Sequence, residues 1–243
     1  MKIIKIKYSK GSLGKNNGTE SAPNEILKEL KNIWLNESFK ELKFTSEDSD
    51  IKNIKEGDIY LGGDHSITEP IIKKISKNSK NFGLIVFDAH PDVYKEFEFP
   101  THGDWLYHLI EEGIVKKENI ILIGIRNPDI KEIDYLEKNN IKFYTAKELY
   151  LDRENICNLI MEKARNFDHI HISVDIDSLD PSIAPGTGYL EPAGLSAREL
   201  LYYIQRLSFV KNKKTFDLVE VNPLKDTNNI TVKTAAKIVG EFL

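Results

Sequence analysis

Residues 172–188 read Ile-Ser-Val-Asp-Ile-Asp-Ser-Leu-Asp-Pro-Ser-Ile-Ala-Pro-Gly-Thr-Gly, and this stretch decides the fold that we predict for the chain. An apolar run that begins at Ile170 ends in two carboxylates, Asp175 and Asp177. Residues i and i+2 of an extended chain lie on the same side, so both carboxylates can face one point where a strand ends. Asp180 and a segment rich in Pro and Gly follow, which indicates a turn. Buried carboxylates this close together repel each other and favour a cation as their partner.

Strands and helices are predicted to alternate along the chain on both sides of this stretch. Wholly apolar runs at 82–87 and 120–125 are typical of strands that are covered on both faces. Ser66-Ile-Thr-Glu69 and Ser196-Ala-Arg-Glu199 have the spacing of capping boxes at helix starts. The alternation predicts one α/β domain over residues 1–243, with a mainly parallel sheet and helices on both faces. The other predicted strands are 3–8, 58–61, 141–144, 170–175 and 216–221, and the predicted helices are 24–36, 66–77, 103–113, 130–139, 154–165, 196–207 and 231–242.

The composition is that of an ordinary soluble globular protein. Of the 243 residues, 40% are hydrophobic and 30% are charged, and the formal net charge of −4 does not suggest a nucleic-acid partner. The single cysteine, Cys157, excludes an intrachain disulfide and a thiolate metal cluster. The first residues lack the pattern of a signal peptide, and no apolar run is long enough to span a membrane. We therefore expect a cytoplasmic enzyme without membrane contact.

Two more polar clusters follow predicted strands. The first, Gly-Gly-Asp-His-Ser at 62–66, follows strand 58–61, and the second, Asp-Ala-His-Pro-Asp at 88–92, directly follows strand 82–87. The first cluster alone has a plainer explanation as a tight turn, whereas a purely structural account of three ionisable groups that end a buried strand is poor. Ligand sites of parallel α/β sheets lie beyond the carboxyl ends of the strands, which is where all three clusters fall. Together they offer six candidate metal ligands: His65, Asp88, His90, Asp92, Asp175 and Asp177.

The number and type of these ligands indicate the kind of metal site. Four carboxylates and two imidazoles exceed the needs of one catalytic ion but suit two ions that share bridging carboxylates. Oxygen-rich sites favour Mg²⁺ or Mn²⁺, and the added imidazoles favour Mn²⁺. Two ions roughly 3.5–4 Å apart can hold a water molecule and lower its pKa towards neutrality.

The three motifs, in this order, resemble those of the ureohydrolase family of arginases and agmatinases. The motifs are Gly-Gly-Asp-His-Ser, Asp-Ala-His-x-Asp and Ser-x-Asp-x-Asp-x-x-Asp-Pro-x-x-Ala-Pro-Gly-Thr-Gly, and the resemblance extends from the loop at Gly11 to the last helix. It implies a three-layer αβα fold, a centre of two Mn²⁺ per subunit, and hydrolysis of a guanidino group to urea and an amine. It also implies a homo-oligomer, either a trimer or a hexamer.

The resemblance also implies a role for each residue of the motifs. Asp88 and Asp175 would bridge the two ions. The other ligands would fall into two pairs, one for each ion: His65 with Asp92, and His90 with Asp177.

Further residues outside the metal set correspond to catalytic positions of the family. His102, in Thr-His-Gly, corresponds to a histidine that relays protons to water, and Glu220, in Val-Glu-Val-Asn-Pro, to an acid that holds the substrate guanidinium. Asp92 would pass a proton to the leaving amine. His169 and His171 match no motif, and we interpret them as structural.

The chain departs from the family pattern after Gly188. The family usually continues with Thr-Gly-Thr-Pro and Gly-Gly, whereas this chain has Tyr189 and Glu191 in that region. Tyr189 replaces a small residue that normally lies near the substrate. The three motifs therefore indicate the class of reaction, whereas this departure near the substrate leaves the substrate itself open.

The sequence points in two directions on the substrate. The loop 93–101 contains no Asn or Ser to bind a carboxylate, while its Glu96 and Glu98 would suit a distal ammonium group. Asp129 and Glu132 match the acids with which arginases hold the α-amine. We predict agmatine, hydrolysed to putrescine and urea. The alternatives are an arginase, a formimidoylglutamase, another guanidino-acid hydrolase, or a non-catalytic metal-binding paralogue.

Overall fold

A parallel β-sheet forms the centre of the molecule. The computed structural model describes residues 1–95 and 97–243, and within them lie β1 (Lys2–Lys5), β2 (Thr45–Asp48), β3 (Ile59–Leu61), β4 (Phe82–Phe87), β5 (Ile120–Ile125), β6 (Lys142–Thr145), β7 (His169–Asp175) and β8 (Lys213–Val219). These strands form one sheet in the order β2-β1-β3-β8-β7-β4-β5-β6, and neighbouring strands pair in parallel throughout.

Helices cover both faces of this sheet. The described helices are α1 (Ala22–Leu30), α2 (Thr68–Ile75), α3 (Trp105–Glu111), α4 (Ile130–Lys138), α5 (Ala146–Ala164), α6 (Ala197–Ser208) and α7 (Ile230–Phe242). Helices α1, α5, α6 and α7 share one hydrophobic core with the sheet, and α2, α3 and α4 pack on the other face. The predicted three-layer αβα fold is thus confirmed. Among the described residues, no helix is both long enough and apolar enough to cross a membrane.

Strand β4 shows why the sequence forms this architecture. Its six residues are buried, and alternate side chains point to opposite faces of the sheet. Leu84 and Val86 join the core under α2, α3 and α4, while Ile85 and Phe87 join the core under the other helices. A strand with helices on both faces needs apolar residues at every position, which is the pattern that predicted it.

The predicted capping box of Ser66 and Glu69 is wrong. Asp64 caps the turn instead, because its Oδ1 accepts hydrogen bonds from the backbone N–H and the hydroxyl of Ser66. Glu69 pairs with Lys73 at 2.5 Å. Asp is a favoured N-cap residue, and Asp64 accepts the backbone N–H of Ser66 that the Glu69 carboxylate would have accepted in a capping box.

The predicted elements also differ from the observed ones in their bounds. Strand β2 was not predicted, since only one residue of its sequence Thr-Ser-Glu-Asp is even partly buried. Helix α5 begins at Ala146 rather than at 154, behind a capping box of Thr145 and Glu148. The capping box of Ser196 and Glu199 is confirmed at the start of α6.

Candidate metal centre and substrate cavity

Four neighbouring strands deliver the motif residues to one edge of the sheet. The order β3-β8-β7-β4 is continuous within the sheet, and the strands end at Leu61, Val219, Asp175 and Phe87. Because parallel strands share the direction of their carboxyl ends, the residues that follow them meet at this edge. The chain segments are far apart in sequence, so it is the sheet order that assembles the site.

His65 lies at the centre of the first group of candidate ligands. Its Nδ1 is 3.0 Å from Asp88 Oδ2, 3.1 Å from Asp92 Oδ2 and 3.2 Å from Asp175 Oδ2. All four side chains are buried. One imidazole nitrogen and three carboxylates thus converge on a single small volume.

His90 forms the second group with two carboxylates. Its Nδ1 lies 3.2 Å from Asp177 Oδ2 and 3.5 Å from Asp88 Oδ1. Asp88 therefore faces His65 with one carboxylate oxygen and His90 with the other. This shared position is what a carboxylate between two neighbouring cations requires. Asp175 uses its Oδ1 to accept a hydrogen bond from the backbone N–H of Asp177.

The electrostatics of these groups indicate that they fit a divalent cation. Burial and the charge of Asp88 raise the pKa of Asp92 to about 7, and burial and Asp177 raise the pKa of Asp175. His65 Nδ1 and Asp88 Oδ2 are buried and face each other at 3.0 Å, and neither atom makes a hydrogen bond among the described residues. A cation would offset the repulsion and give both atoms a partner, and oxygen with imidazole donors suits Mn²⁺. Manganese and the number of ions stay predictions.

Glu220 follows β8 and lies beside the candidate metal ligands. Its Oε1 accepts a hydrogen bond of 2.7 Å from the backbone N–H of His65, and its Oε2 one of 2.5 Å from Asn16 Nδ2. His102 Nδ1 is 3.5 Å from Glu220 Oε1. Burial lowers the pKa of His102, but the hydrogen bond and charge of Glu220 raise it by more. The two predicted catalytic residues outside the metal set are thus neighbours.

Two acids of the site have backbone conformations that non-glycine residues rarely adopt. Asp92 has φ of 54° and Glu220 has φ of 64°. Such conformations are uncommon for L-residues and cluster at functional sites. The surrounding contacts hold them there, since Trp105 Nε1 donates to Asp92 Oδ2 at 2.6 Å and the backbone N–H of Glu220 donates to the carbonyl of Gly63 at 2.8 Å.

Asp129 and Glu132 cap helix α4, although they also line the cavity. Asp129 accepts a hydrogen bond from the backbone N–H of Lys131, and Glu132 accepts from the backbone N–H groups of Asp129 and Val93. Burial raises the pKa of Glu132. Both carboxylates therefore have structural partners, and their contact with a substrate amine stays a prediction.

A cavity of about 580 Å³ opens over the candidate metal ligands. Lys15, Asn127 and Tyr94 contribute to its walls, with catalytic candidates His102 and Glu220. Of the two loop acids that were predicted to suit an ammonium group, Glu96 lies outside the described residues. Glu98 is 93% exposed and pairs with Lys95 at 3.7 Å.

Of the two residues that depart from the family pattern, Tyr189 lines this cavity and Glu191 contacts residues that line it. The Tyr189 ring lies 5.4 Å from the His90 ring and 5.7 Å from the His102 ring, measured between centroids. Glu191 Oε1 accepts a hydrogen bond from Asn127 Nδ2 at 2.8 Å and lies 3.7 Å from His90 Nε2. The Tyr189 ring thus lies against both histidine rings in the cavity wall.

Arg126 holds the loop that carries these residues. Its guanidinium donates to the backbone carbonyls of Asp177 at 2.5 Å and Glu191 at 2.8 Å. It therefore ties the ligand Asp177 to the segment with Tyr189. The sequence interpretation missed Arg126, Asn16 and Trp105, because a residue that meets its partner only in the folded chain has no local pattern.

The chain matches a family model and curated proteins over most of its length. A model described as the Arginase family matches residues 50–243. The arginase of Staphylococcus aureus (strain COL) is 39% identical over 202 residues, which cover 76% of this chain and 66% of that protein. The chain thus spans just under two thirds of the length of this relative.

Solved structures share the fold over nearly the whole chain. Formimidoylglutamase from Bacillus subtilis subsp. subtilis str. 168 superposes with a TM-score of 0.89 and 26% identity, covering 99% of this chain and 84% of that one. Arginase from Bacillus subtilis superposes with a TM-score of 0.84 and 26% identity, covering 100% of this chain and 98% of that one.

Proposed function

Because the chain belongs to the arginase family, we propose that it hydrolyses the guanidino group of a small cationic substrate to urea and an amine. One observation carries this proposal: both groups of candidate metal ligands adjoin a single cavity that His102 and Glu220 also line. A non-catalytic metal-binding paralogue would need the ligands alone. The presence of both additional residues favours the enzyme.

Six residues would hold two Mn²⁺ in this proposal. Asp88 would be shared, as its two oxygens face His65 and His90. When bound, such ions lower the pKa of a water molecule and so supply the nucleophile near neutral pH. Asp88 and Asp175 would serve both ions, His65 with Asp92 would hold one ion, and His90 with Asp177 would hold the other.

The residues of the chain would bind the substrate and move the protons. Glu220, held by Asn16 and by the backbone of His65, would orient the planar guanidinium through charge-assisted hydrogen bonds. Asp92 would carry a proton to the nitrogen of the leaving amine. His102, which is close to Glu220 and lines the cavity, would exchange protons with solvent.

The substrate has two main candidates, each favoured by its own observations. Agmatine is favoured by the lack of Asn and Ser in loop 93–101, whereas the acids Asp129 and Glu132 in the cavity wall would serve the amine of either substrate. L-Arginine is favoured by the similarity to a protein described as an arginase, and by Lys15 and Asn127 in the cavity wall, which offer donors for a carboxylate. A trimer or hexamer and a cytoplasmic location stay predictions.

A urea-release assay on the Mn²⁺-loaded protein tests the proposal. The panel should contain agmatine, L-arginine and a guanidino acid, with formamide release measured for formimidoylglutamate. We expect urea from agmatine or L-arginine, and kcat/KM for the two under identical Mn²⁺ loading decides between them. A protein that binds Mn²⁺ but turns over no member of the panel would favour the non-catalytic paralogue.

A further inference from the structure

A chain of buried hydrogen bonds leads from the metal ligands into the sheet. His65 Nε2 is 3.0 Å from Ser173 Oγ, and Ser173 Oγ donates to Asp217 Oδ1 at 2.6 Å. Ser173 lies on β7 and Asp217 on β8, next to each other in register. All three side chains are at most 1% exposed, and the proposed hydrolysis assigns no role to Ser173 or Asp217.

Asp217 receives two more hydrogen bonds on its other oxygen. Thr68 Oγ1 donates to Asp217 Oδ2 at 2.8 Å, and His171 Nε2 lies 2.9 Å from the same oxygen. Burial raises the pKa of Asp217, but the charge and hydrogen bond of His171 and the hydroxyl of Ser173 lower it by more. The ionised carboxylate of Asp217 therefore accepts a hydrogen bond from each of Ser173, Thr68 and His171.

The protons of this chain can be assigned from its geometry. A serine hydroxyl has one proton, and Ser173 directs it to Asp217, so only lone pairs of Ser173 remain for His65. The Nε2 of His65 must then carry the hydrogen of the neutral imidazole. Its Nδ1 is left as a lone pair, and this is the atom that faces Asp88, Asp92 and Asp175 at 3.0–3.2 Å.

We propose that Asp217 is a positioning residue which, through the Ser173 hydroxyl, holds His65 in the tautomer whose Nδ1 can bind the metal. This inference rests on the metal centre of the proposed function. In the other tautomer Nδ1 would carry a hydrogen, and a nitrogen that carries a hydrogen cannot coordinate a cation. The side chain of Asp217 thus acts on the metal site without touching it.

Two substitutions interrupt the chain at different links. Ser173→Ala leaves His65 Nε2 without its acceptor. Asp217→Asn offers an amide that can donate to Ser173, so that the hydroxyl proton turns towards His65 and favours the wrong tautomer. We expect each variant to lower the affinity for the Mn²⁺ at His65 by about 10–100-fold, as for other groups that orient metal ligands. The affinity for the Mn²⁺ at His90 should stay unchanged. The readout is an equilibrium Mn²⁺ titration followed by electron paramagnetic resonance of the free ion.

Thr68→Val is the matched control, because it removes a partner of Asp217 but leaves the link through Ser173 intact. We expect wild-type Mn²⁺ affinity for this variant. Unchanged Mn²⁺ affinity in Ser173→Ala would overturn the inference. A loss of affinity in Thr68→Val as large as in Ser173→Ala would also overturn it, because any disturbance of the packing around Asp217 would then be enough to weaken the site. If Asp217→Asn does not fold, Ser173→Ala decides alone. A wild-type protein that binds no Mn²⁺ would instead contradict the metal centre of the proposed function.

Discussion

Asn16 and Glu220 are 204 positions apart in the chain and are joined by a buried hydrogen bond of 2.5 Å from Asn16 Nδ2 to Glu220 Oε2. Asn16 also donates to the backbone carbonyl of Glu220, and its own Oδ1 accepts from Asn222 Nδ2 at 2.7 Å. The loop that contains Asn16 thereby holds the acid that we propose to bind the guanidinium. This contact links an irregular segment near the start of the chain to the last strand.

Asn16→Ala should impair substrate binding without removing metal. A buried carboxylate that loses a donor costs about 1–3 kcal/mol, so we expect kcat/KM to fall roughly 5- to 150-fold. Steady-state kinetics together with elemental analysis of bound Mn²⁺ test this. The control is Asn17→Ala, because Asn17 is the exposed neighbour in the same loop. A normal kcat/KM in Asn16→Ala would argue against a role for this contact.

Asp88→Asn should remove both ions, because Asp88 is the acid that both candidate ligand groups share. We expect Mn²⁺ content near zero and no detectable turnover, with circular dichroism close to that of the wild type. The control is Asp134→Asn, which makes the same carboxylate-to-amide change at an exposed residue of α4 and should retain metal and activity. Two tightly held Mn²⁺ in Asp88→Asn would show that the assignment of the bridge is wrong.

His102→Asn should slow turnover by about 10²–10⁴-fold, the usual contribution of a general acid–base group, while Mn²⁺ content stays unchanged. Added imidazole should restore part of kcat, because a small base can enter the cavity and exchange protons. The comparison is the rate with and without imidazole for variant and wild type. If the substitution strips the metal, His102 is a ligand rather than a proton carrier.

His169 should make the protein less stable in acid. Burial, with the nearby charges of Lys213 and His171, lowers the pKa of His169 from 6.5 to about 4. The folded state then binds fewer protons than the unfolded state between these values, so stability present above pH 6.5 is lost as the pH falls towards 4. The loss is at most about 3.5 kcal/mol, since the pKa falls from 6.5 to about 4 and one pKa unit corresponds to about 1.4 kcal/mol.

Urea denaturation of the EDTA-treated protein from pH 7 to pH 4 measures this effect. His169→Gln should flatten the dependence of the free energy of unfolding on pH, whereas His108→Gln, which keeps His169, should retain the acid-side slope. Equal slopes in the wild type and in His169→Gln would refute the prediction.

The candidate metal ligands were recognisable in the sequence because local rules determine their positions. Asp175 and Asp177 are two positions apart at the end of an apolar strand, and the cluster at 88–92 follows another. A parallel sheet brings such ends to one edge, so strand periodicity and the i, i+2 rule were enough to assemble the candidate site. The predicted capping box at Ser66 was wrong because Asp64, a second N-cap candidate two residues earlier, accepts the backbone N–H of Ser66.

The sequence by itself determined the αβα architecture and the six candidate ligands, because hydrophobic periodicity and short spacings are properties of neighbouring residues. Tertiary structure alone decided that Asn16 holds Glu220 and that Ser173 and Asp217 orient His65. These contacts join residues from separate elements or depend on how donors are shared. A hydrogen bond between segments some 200 residues apart imposes no spacing on the chain, so it becomes visible only once the sheet order brings both partners together.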